Sequence, residues 1–270
     1  MAKVEVLRRT PLRAFLAGCG VGMVGGLVGL GGAEFRLPIL IGIFGFAALA
    51  AVIVNKAMSL VVVVVAIPAR LLAVPAAEVF GQWTVIVNLL IGSLAGAWLG
   101  ATWATRMRTV SLYRVIAAML VGIALVFAGS HWGWLPHPTL SGLPLLTVGI
   151  LAGFGIGVVA AVMGVAGGEL LIPTIAVLYA VDVKVAGSLS LLVSLPTMLV
   201  AFFRYSRDQA FVVLREYPSF VAWLAVGSVV GTVFGGLLLG VVSGGFIVPL
   251  VVLLLLFSAW KVWQHSRIPH

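Results

Sequence analysis

Charge is scarce in this sequence. Only 9% of its 270 residues are Asp, Glu, Lys or Arg, and 63% are hydrophobic, whereas a soluble domain carries about 25% charged residues. So few charges cannot coat a water-facing surface of this size, and lipid is left as the solvent for much of the chain. Acidic residues are fewer still, 7 against 16 basic ones. Cysteine is nearly absent: Cys19 stands alone in an apolar run as a packing residue, which excludes an intrachain disulfide and a Cys-based metal site. The 4 histidines lie in loops or the tail, and no HExxH, GxSxG or Walker sequence occurs. No enzyme, metal or cofactor is therefore expected. The net charge of +9 would raise nucleic-acid binding in a soluble protein, but most basic residues here fall in short loops between apolar runs, where they set membrane orientation. No nucleic-acid partner is expected.

What the chain does have is long apolar runs, a mean hydropathy of +1.26, and 33 glycines. A spanning helix needs about 20 apolar residues. Ten apolar segments are readable, at 12–30, 36–54, 57–76, 83–104, 111–130, 143–163, 169–181, 185–203, 218–240 and 245–263. The seventh is short and reads as a half-helix or re-entrant piece. Lys3, Arg8, Arg9 and Arg13 precede the first segment as in a signal peptide. That segment runs on to Leu30 and into a glycine motif that recurs later, so it is read as a retained first helix.

The chain matches itself at an offset of 135 residues, a search that precedes any other reading. Gly29-Leu-Gly-Gly-Ala-Glu-Phe-Arg-Leu-Pro38 aligns with Gly164-Val-Ala-Gly-Gly-Glu-Leu-Leu-Ile-Pro173. From Leu16 to Pro38, ten of 23 positions are identical without a gap, where chance in so apolar a chain gives about one in ten. The register holds further on: Ser59 meets Ser194, and Gly92, Ser93, Gly96 and Gly100 meet Gly227, Ser228, Gly231 and Gly235. The chain thus divides into membrane repeats 1–135 and 136–270.

Loop charges test the segment count. With the N-terminus cytoplasmic, Arg8, Arg9, Arg13, Arg106, Arg108, Arg114, Arg204, Arg207, Arg215, Lys261 and Arg267 fall on the cytoplasmic side. Arg36, Arg70 and Lys184 fall opposite, partly offset by Glu34, Glu78 and Asp182. This bias fits the positive-inside rule, with both termini inside. Five segments per copy is odd, so the copies sit in opposite orientation, the inverted-repeat plan of many secondary transporters. The fold class expected is all-α: a polytopic helical membrane protein of two inverted repeats, about five segments each, with helices broken at the glycine motifs. Trp83, Trp132, Trp134 and Trp260 near segment ends read as interface anchors.

Irregular backbone survives in a bilayer only inside protein or beside a water cavity. Each glycine motif reads as helix, break, new helix start, with Pro38 and Pro173 tolerated in the first turn of the new helix. A helix N-terminus offers unpaired N–H groups and partial positive charge, which suits an anion. The candidate binding residues are Gly31, Gly32, Ala33 and Glu34 in the first copy, and Gly167, Gly168 and Glu169 in the second. The competing reading is tight helix packing through small residues. Glu34 and Glu169 have two competing roles. One is a proton carrier, because burial favours the neutral carboxyl; the other is a structural cap of the helix start, which an anion's repulsion of acid favours. Arg36 and Lys56 are the cations nearest the site, with Leu171 and Leu191 in their place in the second copy; snorkelling to headgroups is the alternative. Asn55 with Ser59, and Ser190 with Ser194, are four apart and share one helical face. They either bind solute oxygens or bond neighbouring helices. Gly92–Gly100 and Gly227–Gly236 carry small-xxx-small spacing and read as helix contacts.

The paired glycine motifs ending in proline, over nearly the whole chain, resemble the sulfite exporter TauE/SafE family of membrane transporters. The family pattern is Gly-x-Gly-Gly-Gly followed by an apolar run and proline; here Ala33 replaces the last glycine of the first copy and Ala166 the middle one of the second. The resemblance implies transport of sulfite, organosulfonates or related sulfur anions across the cell inner membrane. The expected partners are a small anion, a coupling proton or ion, and the lipid bilayer, with room for a homodimer. The alternative is an anion channel on the same scaffold. A membrane-embedded enzyme or assembly subunit is disfavoured by the lack of clustered His, Asp or Cys.

Overall fold

The computed structural model describes residues 10–28, 32–132, 140–238 and 244–267. Among them every regular element is a helix: α1 (Pro11–Val28), α2 (Ala33–Gly42), α3 (Ala48–Ala73), α4 (Ala76–Gly81), α5 (Trp83–Arg106) and α6 (Thr109–His131), then α7 (Gly142–Met163), α8 (Gly168–Tyr179), α9 (Val183–Tyr205), a 3-10 turn at Gln209–Val212, α10 (Val213–Glu216), α11 (Pro218–Leu238) and α12 (Gly244–His265). Among the described residues, six stretches are long and apolar enough to cross a membrane: Ala48–Pro68, Trp83–Arg106, Thr109–Val126, Gly142–Met163, Val183–Tyr205 and Pro218–Gly235. The chain is a polytopic all-α membrane protein. Large apolar side chains such as Leu143, Leu151, Leu237 and Leu253 face outward, as they must where the surroundings are lipid.

Helix starts recur at the offset seen in the sequence. Ala33 and Gly168, Ala48 and Val183, Trp83 and Pro218, and Thr109 and Gly244 open corresponding helices 135 residues apart. Two boundaries differ from expectation. Segments 36–54 and 57–76 are not separate crossings: a short helix ends at Gly42, and one 26-residue helix runs from Ala48 to Ala73. The turn falls between them, where Gly45 takes φ 68, a left-handed conformation that glycine adopts without steric cost. No polar residue lies between 43 and 54, so hydropathy alone cannot show the turn. Pro38 and Pro173 are likewise not in the first turn but inside α2 and α8. A proline there has no N–H for the carbonyl four residues back, which is that of Glu34 or of Glu169.

The 10 residues of α2 and 12 of α8 are about 15 and 18 Å long, roughly half of a ~30 Å hydrocarbon core. Each short helix folds back along the helix before it. Gly32 rests on Val21 and Gly25 of α1, while Phe44 and Phe46, just past α2, stack on Phe220 and Tyr217 at the start of α11. The start of α11 is also level with the start of α1, because Phe15 meets Trp223. In the second half Gly167 rests on Ile156 and Ala160 of α7, and Tyr179 at the far end of α8 reaches Gly149.

Glycine seams join the halves. Gly18 and Gly22 of α1 abut the backbone at Leu224–Ser228 and Ser228–Thr232 of α11, and Gly92, Gly96 and Gly100 of α5 abut Ile150, Phe154 and Val158 of α7. Residue numbers rise together on both seams, so both pairs run parallel. The pairing is reciprocal: the first helix of each half packs on the fourth main helix of the other, and α12 lies on α2 as α6 lies on α8. Cys19, half-buried, sits in the α1–α11 seam against Gly227 and Gly231.

Candidate functional site

The two half-helices start beside one another in the middle of the bundle. At both starts the residue before the helix is a glycine in the left-handed region, Gly32 at φ 71 and Gly167 at φ 85; these positions align at the 135-residue offset. Ala33 and Gly168 open the two helices. The first N–H groups of a helix have no intrahelical acceptor, so each start presents donors and partial positive charge. Gly31 lies outside the described residues.

Asn55 of α3 ties the two breaks together. Its Nδ2 donates to the Ala33 carbonyl at 3.0 Å and to the Met163 carbonyl at 3.1 Å, one in each half. Its Oδ1 accepts from Arg36 Nη1 at 3.2 Å. The next residue, Lys56, donates from Nζ to the carbonyls of Ala160 and Val165 at 2.7 and 2.6 Å. These close the end of α7, where Gly164 takes φ 70, and a cation suits the negative end of a helix. Ser59 Oγ bonds the carbonyls of Asn55 and Gly164 at 2.9 and 3.2 Å. Arg36 and Lys56 are both buried, at 1% and 0% exposure. Neither snorkels, and neither Arg36 nor Glu34 is a loop charge on the far side. Burial without neutralising partners would be prohibitive for either cation.

The partners are Glu34 beside Arg36 and Glu169 beside Lys56. Both carboxyls are buried, and they lie within hydrogen-bonding reach of each other. Each sits close to its own backbone N–H, yet none of the four oxygens accepts a hydrogen bond of good geometry. The two carboxyls adjoin each other where the two halves meet.

The second-half hydroxyls differ from one another. Ser190 Oγ donates to the Gly187 carbonyl at 2.8 Å and lies beside Gly168 at the start of α8. Ser194 Oγ is fully buried with no hydrogen-bond partner. The structure adds polar groups that sequence reading passed over. Thr197 of α9 meets Ser93 of α5 at 2.8 Å, and Tyr205 donates to the Ala161 carbonyl at 2.8 Å. The spacing Ser190, Ser194, Thr197 follows one helical face and was the signal for Thr197; nothing in the sequence marks Tyr205. Among the described residues no group of three His, Cys, Asp or Glu side chains could hold a metal ion.

A pocket of about 470 Å³ opens at the far end of α8, lined by Gln82, Thr84, Leu140, Leu145 and residues 176–180. It lies at the end of the bundle where α5, α7 and α9 begin. The cluster itself is closed over, because its side chains are all buried.

No curated protein and no solved structure matches the chain. A family model does match, described as Sulfite exporter TauE/SafE, over residues 3–127 and 148–269. The two stretches together take in both glycine breaks, all of the cluster described above, and nearly the whole length. The chain belongs to the sulfite exporter TauE/SafE family, a family of membrane transporters of sulfur anions.

Proposed function

We propose that this protein is a secondary transporter of a small sulfur oxyanion, sulfite or an organosulfonate, working by alternating access between two inverted halves, 1–135 and 136–270. The observation that carries this reading is the meeting of two half-helix starts, one from each half, around a buried set of two cations and two carboxyls. The starts of α2 and α8 supply N–H donors, and Gly32, Ala33, Gly167 and Gly168 let solute oxygens approach backbone. Arg36 and Lys56 supply charge, while Asn55, Ser59, Ser190 and Ser194 supply side-chain polar groups.

Helix directions support the inverted plan. Arg204 at the end of α9 bonds Thr102 and Thr105 near the end of α5, and the end of α7 lies two turns into α3, where Lys56 and Asn55 hold it. Such contacts suit halves that enter the bundle from opposite ends. They also gather Arg106, Arg108, Arg204, Arg207 and Arg215 at one end and leave Glu78, Asp182 and Lys184 at the other. By the positive-inside rule the basic end is cytoplasmic, and both termini with it.

Burial of the whole cluster corresponds to a state closed to both sides, and rocking of one half against the other would open it. The test is uptake of labelled sulfite and methanesulfonate by proteoliposomes holding the purified protein. Saturable uptake of either supports the reading. No flux for any of a panel of sulfur anions overturns the substrate class, and unitary currents in planar bilayers overturn the carrier mechanism in favour of a channel.

A further inference from the structure

Two carboxyls fully enclosed in protein, and facing each other, need something between them. Glu34 and Glu169 are 1% and 2% exposed, their four oxygens accept no well-formed hydrogen bond, and the two groups lie within hydrogen-bonding reach. As two carboxylates they would offer each other only acceptors, and like charges that close in a low-dielectric interior repel strongly. One proton removes both problems. An O–H bond forms on one carboxyl, the other accepts the hydrogen bond, and the pair carries a single negative charge in place of two. A metal cation is the poorer occupant, because it needs several oxygens around one point and Arg36 and Lys56 already flank this pair.

We propose that Glu34 and Glu169 form a shared-proton pair that couples anion movement to a proton. The inference deepens the transport reading and rests on it. The charge count gives the coupling its sign. Arg36 and Lys56 face the pair from α2 and α3; Asn55 and Ser59 of α3 and Ser190 of α9 are the neutral groups around it. With both carboxyls ionised the cluster sums to zero. With one proton bound it sums to +1, which favours a monoanion at the helix starts. Proton and anion then strengthen each other's binding reciprocally, so both move in the same direction. The pair comes from both halves, one carboxyl on each half-helix. A motion that separates the halves would therefore break the shared hydrogen bond and release the proton on the side that opens.

The experiment uses the purified full chain and two readouts. The first is methanesulfonate uptake into proteoliposomes, chosen because the charge of this probe is fixed across the working pH range. An inward proton gradient is expected to raise uptake about 5-fold or more in the wild-type protein, and to have no effect on residual uptake in Glu34→Gln and Glu169→Gln. The second readout is independent of transport: infrared difference spectra on acidification should show one protonated-carboxyl stretch that both variants lose. Uptake that follows a sodium gradient and ignores the proton gradient overturns the proposal. So does a carboxyl band that survives in Glu34→Gln, since that proton would not be shared. If the wild-type protein moves no sulfur anion at all, the transport reading fails, while the infrared band still decides the pair. Should one variant fail to fold, the other decides.

Discussion

At the residue scale, two buried polar groups make opposite predictions. Lys56 holds the carbonyls of Ala160 and Val165 and stands beside Glu169. Lys56→Met leaves the carbonyls of Ala160 and Val165 at a buried helix end without their donor, and each hydrogen bond lost from a charged group costs about 1.5–3 kcal/mol. A clear drop in detergent melting temperature is expected. Ser194 has no partner to lose. Ser194→Ala should leave the melting temperature within error and lower anion flux by raising KM; unchanged flux would remove Ser194 from the site. Asn55 and Ser59 were legible as a shared polar face because their spacing is helical. That Asn55 would bridge Ala33 and Met163 was not, since those carbonyls come from positions 22 and 108 residues away.

At the scale of elements, the seams between helices are set by glycine. A Cβ at Gly96 would collide with the Phe154 carbonyl, and one at Gly231 with that of Cys19. Either Gly96→Val or Gly231→Val should destabilise the protein, by about 1–3 kcal/mol if the helices shift to accept the side chain. Nothing lies within 4 Å of a Cβ at Gly122 or Gly155, so Gly122→Ala and Gly155→Ala should leave the melting temperature unchanged or slightly higher, alanine being the better helix former. Thermal melts of the four variants, read by tryptophan fluorescence, check the contrast. Small-xxx-small spacing announced the seams on α5 and α11, yet it did not name the partners. Those depend on which helices the two folded-back short helices leave adjacent.

At the scale of the molecule, the prediction concerns sidedness. Ser141, exposed before α7, lies toward the end of the bundle holding Asp182, and Ser206, exposed after α9, lies at the arginine-rich end. In a Cys19→Ala background, a membrane-impermeant thiol reagent should label Ser141→Cys in intact cells and Ser206→Cys only in inverted vesicles. Labelling of both from one side would exclude the proposed topology.

Composition was sufficient by itself for the membrane class, and self-similarity for the 135-residue echo at which helix starts recur. Hydropathy and glycine clusters are local properties, and a 135-residue echo needs no coordinates to be seen. Three-dimensional structure alone decided where the charges went. Arg36 and Glu34, counted as far-side loop charges from their place between apolar runs, proved to be enclosed. Asn55, bonded to the carbonyls of Ala33 and Met163, holds the two breaks together, and Glu34 comes to lie by Glu169, 135 positions away in sequence. No local pattern encodes that meeting; it exists only because a residue of a third helix, Asn55, pins the start of α2 and the end of α7 in one place.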